Sequence, residues 1–193
     1  EISECLVGSE MCIRDRSPTK HAHERALQYA RECGCLVSFD VNVRMHLWKD
    51  AAKLRATVLD FLPYADFVKV TDEEMALLVG CECEVQGIQT LFEKAPNAKL
   101  VFLTKGEKGS AVYDRNLASR VYPAKSSEVV DTTGAGDCFI GSIIYKILQN
   151  ECDLTVDGVD DAMKLAVNAC SVVISRKGGA GAMPTLSEAE AVK

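Results

Sequence analysis

No apolar run in this sequence approaches the length of a membrane span, which excludes an ordinary transmembrane helix. No signal-peptide pattern is visible either. An excess of positive charge is missing too. Lys and Arg total 22 against 28 Asp and Glu, for a formal net charge of −6, and no basic cluster offsets it. That balance disfavours non-specific binding to nucleic acid. Nine cysteines are present, but none has Cys-x2-Cys spacing. Cys33 and Cys35 form one Cys-x-Cys and Cys81 and Cys83 another, without a matching His pattern. His21 and His23, two apart on a helix, point in different directions. Neither Cys-x-Cys has the spacing of zinc or thioredoxin-type sites; the two pairs together offer four thiols to a metal, but the preferred reading is reduced, apolar packing groups of a cytoplasmic protein. Two common phosphate motifs fail as well. Gly136 and Gly141 have P-loop spacing, but Ser142 stands where Lys is required. Gly134 and Gly136 begin a dinucleotide fingerprint that Phe139 breaks. Neither an internal repeat nor a low-complexity stretch appears.

What is present is a globular chain. Its 193 residues suffice for a domain with a real core, and 48% hydrophobic content argues against disorder. Helices are predicted over 17–34, with Pro18 in the first turn and Gly34 as the stop, and over Asp50–Phe61. A helix capped by Thr71 runs to about Val79 and ends at Gly80; another spans Val85–Lys94. Two longer helices are predicted at Gly136–Gln149 and Val156–Ser175. Short strands fall at Cys35–Phe39, Asp66–Val70 and Leu100–Thr104, with antiparallel additions at Ser110–Tyr113 and Arg120–Pro123. Strands alternating with helices predict an α/β fold: a mostly parallel sheet with helices on both faces. In such sheets, ligands bind beyond the strand ends.

The most informative stretch is Asp131-Thr132-Thr133-Gly134-Ala135-Gly136-Asp137, followed by the apolar helical run from Cys138 to Tyr145. Gly134, Ala135 and Gly136 let backbone N–H groups converge on one point, and the following helix adds the positive end of its dipole. Asp137, on the first turn, is placed to take a proton from a substrate hydroxyl. An anion cradle beside a carboxylate base suits phosphoryl transfer to an alcohol.

This stretch resembles the C-terminal signature of the ribokinase-like (PfkB-type) carbohydrate kinases, and other segments match the same family in order. Ser38-Phe39-Asp40-Val41-Asn42-Val43-Arg44, with Leu47-Trp48 beyond, resembles the Asp-x-Asn-x-Arg…Leu-Trp stretch of fructokinases and 2-keto-3-deoxygluconate kinases. Lys69 to Glu74 resembles the family's Asn-x-x-Glu segment, with Thr71 in place of Asn. Thr71 and Glu74 also fit a capping box, a structural role that accounts for both. Leu103 to Gly109 resembles the Thr-x-Gly-x-x-Gly strand end of the nucleotide site. Asn168, Lys177-Gly178 and Met183-Pro184-Thr185 resemble the last helix and the loop around adenine.

The resemblance implies a ribokinase-like fold and ATP-dependent phosphorylation of a sugar hydroxyl. Asp137 is then the catalytic base, and Gly134, Ala135 and Gly136 the anion hole. Thr104, Gly106, Gly109 and Asn168 are nucleotide-binding, and Asp40, Asn42 and Arg44 contact substrate or phosphate. Glu74 acts on Mg²⁺ through water, and Asp131 and Thr133 hold a monovalent cation, K⁺. The Asp40–Trp48 stretch favours fructose, with 2-keto-3-deoxygluconate as the alternative acceptor. The resemblance implies a homodimer for the full-length protein, with no nucleic-acid or membrane partner.

The segment 1–16 does not share the resemblance. Cys5 to Arg16 back-translates in one frame into a transposase adapter used to build sequencing libraries. It is therefore expected to be non-native, with 17–193 forming the C-terminal, ATP-binding and catalytic portion of a sugar kinase domain. On that expectation the first strands, the β-lid and most sugar contacts are missing. The chain could then be a nucleotide-binding fragment without catalysis.

Overall fold

The computed structural model describes residues 5–7, 18–45, 48–81 and 83–192. Residue 17, the predicted start of the first helix, and Leu47 lie outside them, as does all of segment 1–16 except Cys5–Val7. Elements follow in the order β1 (Cys5–Val7), α1 (Pro18–Glu32), β2 (Val37–Asp40), α2 (Ala51–Phe61), β3 (Phe67–Thr71), α3 (Asp72–Val79), α4 (Glu84–Lys94), β4 (Leu100–Thr104), β5 (Ser110–Asp114), β6 (Ser119–Tyr122), α5 (Ala135–Gln149), α6 (Asp160–Ile174) and α7 (Leu186–Glu190). Hydrogen-bonded strand neighbours run β1-β2-β3-β4-β5-β6. β1 pairs with β2 and β2 with β3 in parallel, which places Asp40 opposite Lys69. Two compact units divide the chain. One runs to Leu103 and takes in Tyr113–Ala118; the other holds Thr104–Val112 and everything from Ser119 onward.

In the first unit, the strands are buried on both faces. Val68, Val70, Leu100, Val101, Phe102 and Leu103 show no exposed surface. Such strands read as continuous apolar runs rather than alternating ones. Phe67 meets Phe102 edge to face, with centroids 5.8 Å apart. α2 buries Leu54, Thr57, Val58 and Phe61, a stripe at helical spacing. Its predicted first residue, Asp50, is instead its cap, accepting from the amides of Ala52 (2.8 Å) and Lys53 (3.3 Å). α3 is bounded as expected. Thr71 and Glu74 complete a capping box at its start, and Gly80 ends it with φ of 70°. Gly87 of α4 lies against Met75 of α3; a Cβ there would meet Met75 Sδ at 2.8 Å.

The second unit is built on α5 against α6. Phe139, Ile143 and Ile147 of α5 and Met163, Ala166 and Val173 of α6 are buried. Small α6 residues allow close approach of the two helices. α6 begins four residues later than the apolar pattern suggests. Thr155 Oγ1 accepts from the Gly158 amide at 2.9 Å, and a Cβ on Gly158 would strike the Asp153 carboxylate at 2.3 Å, so a tight turn occupies those residues. α7 follows a second capping box, Thr185 with Glu188. On β6, Arg120 reaches Asp157 (2.7 Å) and Asp160 (2.8 Å), and Tyr122 Oη donates to Asp160 at 2.7 Å. No helix among the described residues is long and apolar enough to cross a membrane.

Candidate functional site

In the second unit, Asp131, Thr133 and Gly134 lead into α5, whose first turn holds Ala135, Gly136 and Asp137. Two anchors set its shape. The amides of Val130 and Asp131 donate to the Ile174 carbonyl at 2.8 and 3.2 Å, so the end of α6 holds the entry to the turn. The Asp131 carboxylate then accepts from the Thr133 amide at 2.9 Å and the Gly178 amide at 3.1 Å. These bonds, the Thr133 side chain first among them, hold Asp131 below the usual carboxylate range. Gly134 caps α5 with φ of 84°, a left-handed conformation that favours glycine. A Cβ there would also meet Met183 Cε at 3.0 Å.

The donors in the turn are not equivalent. The Ala135 amide is already used within it, donating to the Thr132 carbonyl at 3.2 Å. The Cys138 amide closes the first helical bond onto the Gly134 carbonyl at 2.8 Å. Between them, the amides of Gly136 and Asp137 take no acceptor among the described residues. α5 also lacks a side-chain cap. Orphan amides at a helix start, together with the dipole, make an anion site. Asp137 is exposed at the third helical position, and its carboxylate accepts no hydrogen bond among the described residues. Unclaimed N–H groups and a carboxylate thus share this stretch of backbone.

Elsewhere in this unit, Thr104 is half-buried at the end of β4. Beyond it the Lys105 amide donates to the Gly109 carbonyl at 2.8 Å, closing a turn that includes Gly106, with φ of 56°. Gly109 is required sterically: its φ is 89°, and a Cβ would meet the Tyr122 carbonyl oxygen at 2.2 Å. The Asn168 amide, on α6, donates to the Val192 carbonyl at 3.2 Å, so it secures the end of the chain.

In the first unit, Asp40 ends β2, Asn42 and Arg44 follow it, and Glu74 stands on α3. Past β2 the chain is held by the Val41 amide on the Lys69 carbonyl (3.0 Å) and the Val43 amide on Glu74 Oε1 (2.7 Å). Glu74 Oε2 accepts from the Thr71 amide at 2.8 Å. Each oxygen of Glu74 is therefore occupied by backbone: the capping box plus a clamp on the Asp40–Arg44 segment. Asn42 takes a positive φ of 40°, and Arg44 is exposed. Lys69, in the same β3 stretch as Thr71, has a structural partner. Its ammonium lies 3.0 Å from Asp40 Oδ1, with the two side chains only 5% and 14% exposed. The available signal was a lone charge inside an apolar strand, which requires a partner. No cluster of three His, Cys, Asp or Glu that could hold a metal occurs among the described residues.

The pattern of the pfkB family carbohydrate kinases matches residues 11–186, a span that begins inside segment 1–16. The chain belongs to that family. Among curated relatives, this pfkB-family chain is 36% identical over 179 residues to fructokinase-1 of Oryza sativa subsp. japonica, with 91% of the chain covering 54% of the relative. Against probable fructokinase-4 of Arabidopsis thaliana it is 34% identical over 177 residues, with 91% covering 53%. The chain thus spans about half the length of the curated relatives it matches. Among solved structures, a fructokinase from Vibrio cholerae O395 bound to fructose, ADP and calcium ion aligns with a TM-score of 0.86 at 28% identity, over 98% of this chain and 59% of that one. An aminoimidazole riboside kinase from Salmonella enterica, solved with aminoimidazole riboside and an ATP analog, aligns with a TM-score of 0.84 at 24% identity, over 95% and 60%; that likeness bears on fold alone. The fold is ribokinase-like, with a mostly parallel sheet.

Proposed function

We propose that this chain is the nucleotide and catalytic portion of an ATP-dependent sugar kinase whose acceptor is fructose. The observation that carries the reading is the first turn of α5, where the Gly136 and Asp137 amides lack acceptors among the described residues beside an exposed Asp137 carboxylate. The curated relatives named fructokinases support the acceptor. The Asp137 carboxylate takes the proton of the attacking sugar hydroxyl as the new P–O bond forms. The Gly136 and Asp137 amides hold charge developing on the transferred phosphoryl group, while the Ala135 amide, bonded to Thr132, stiffens the turn. Because those amides are fixed before the reaction, little reorganisation is needed at the transition state.

The remaining assignments come from the family resemblance. Thr104, Gly106, Gly109 and Asn168 serve the nucleotide, and Asp40, Asn42 and Arg44 serve the sugar or its phosphates. Lone pairs left on the Glu74 oxygens suit a water on Mg²⁺, and Asp131 with Thr133 suits K⁺. A bound Mg²⁺ would neutralise phosphate charge.

A second reading rests on length. A chain spanning about half of its relatives suits nucleotide binding without catalysis. The test is titration of the chain with MgATP, followed by ADP release with and without fructose. MgATP binding with fructose-dependent ADP release supports the kinase. Binding with no fructose dependence supports the fragment reading. Absence of MgATP binding overturns both.

A further inference from the structure

Beside the anion-hole turn, the second unit carries two cysteines that phosphoryl transfer does not use. Ala135 and Cys138 are three apart on α5 and so share a face. That face packs on α6. Cys138, 7% exposed, sits in an apolar cluster with Leu165, Ala169 and Val173, and Ala135 packs against the cluster. Cys170 reaches the same place from α6. Its Sγ donates to the Ala135 carbonyl at 3.3 Å, on the α5 face that Cys138 shares. The neighbouring Cys170 side chain holds the Cys138 thiol below its ordinary value, as suits an attacking sulfur. Two thiols therefore meet across the α5–α6 contact, and one of them secures a carbonyl of the phosphate turn.

We propose that Cys138 and Cys170 are a redox modification site, joined by a peroxide into a disulfide that ties the first turn of α5 to α6 and weakens phosphate binding there. Cys138 Sγ attacks one peroxide oxygen; the O–O bond breaks, giving a sulfenic acid and one water. Cys170 Sγ then attacks that sulfur; the S–O bond breaks, and a second water leaves. The two thiol protons end in the two waters, and two electrons pass from the sulfurs to the peroxide. The new bond fixes the sulfurs about 2 Å apart. It also removes the S–H that held the Ala135 carbonyl, and Cys138 shares its helical turn with Gly136 and Asp137. The effect on phosphate rests on the function proposed above; the disulfide does not.

Trypsin separates the relevant cysteines: Cys138 falls in 126–146, Cys152 in 147–164 and Cys170 in 165–176. The chain is treated with hydrogen peroxide, mapped by mass spectrometry without reduction, and titrated with MgATP. The expected product is a linked pair 126–146 with 165–176, two hydrogens lighter than the sum and split by dithiothreitol. Cys170→Ser, whose hydroxyl still donates to the Ala135 carbonyl, does not form it. MgATP affinity of the wild-type chain falls about tenfold on oxidation, the size expected for a lost hydrogen bond to a charged group, and recovers on reduction. The affinity of C170S does not respond. Peroxide that oxidises the exposed Cys33 and Cys83 but leaves the pair unlinked would overturn the site. A linked chain that binds MgATP as tightly as the reduced one overturns the coupling to the turn. A reduced chain with no MgATP affinity overturns the proposed function instead, and the peptide map still decides the disulfide.

Discussion

The turn ahead of α5 and the segment after β2 both carry acidic side chains in motifs of the same family, yet they use their hydrogen-bonding capacity in opposite ways. At the start of α5, each Asp131 oxygen accepts one backbone amide, while the Gly136 and Asp137 amides and the Asp137 carboxylate are left over. After β2, Asp40 faces Lys69 in a buried pair, and both oxygens of Glu74 hold backbone amides. The first region keeps polar groups in reserve and the second has committed them. A motif match alone does not distinguish a group that reacts from one that holds the chain in place; the remaining hydrogen-bonding capacity does.

The largest effect that separates the two regions is expected at Asp137. If the proposed kinase reading holds for this chain, Asp137→Asn lowers fructose-dependent ADP release by about 10²–10⁴-fold, the usual contribution of a positioned base. The variant's MgATP affinity and urea midpoint stay at wild-type values. Retention of most of the rate would remove the base from the turn and erase the contrast.

Lys69→Met tests the committed region through stability. It leaves the Asp40 carboxylate buried without its cation, at a cost of about 3–5 kcal/mol in urea unfolding. Adding Asp40→Asn recovers much of the loss, because neither charge then remains. An unchanged midpoint for the single variant would mean that the pair is not buried in solution.

A smaller loss, about 1 kcal/mol, follows from Thr71→Ala, which removes the cap of α3. Since Glu74 belongs to the same box and also holds Val43, amide exchange at Val43 should quicken with it.

The smallest effect is at α7. Arg176, and after it the Thr185 backbone and side chain, pull the Glu188 carboxyl from 4.5 down to about 2. A lowered carboxyl pKa stabilises the folded state above the unfolded value near 4.5. That stabilisation fades as pH falls through about 2. The pair is exposed, so salt weakens it. NMR shifts of Thr185 and Glu188 should follow this titration, and Glu188→Gln should abolish it.

Much of this was legible in local chemistry. The span Thr71–Gly80 carries its own start and stop, and Asp131–Asp137 its own turn and helix. Thr185-x-x-Glu188 was as readable as Thr71-x-x-Glu74, but the five-residue helix after it is too short to show a periodic apolar face. The early start predicted for the second long helix overlooked the Thr155–Gly158 turn, which a side-chain hydroxyl and a close backbone approach impose. Other facts depend on tertiary register and could not be read locally. Lys69 meets Asp40 because β2 and β3 align as they do. Val43 meets Glu74 across 31 positions. That the Ala135 amide is used while its two successors are not depends on how the turn closes on Thr132.

β6 has a consequence for handling the protein at high concentration. It ends the strand order, so its outer backbone groups are open to any other extended chain. The strand is four residues long, and Arg120 within it is tied to Asp157 and Asp160. A short edge bearing a fixed charge is a poor template for strand addition. The network that attaches β6 to α6 therefore also guards the sheet against growing into an aggregate.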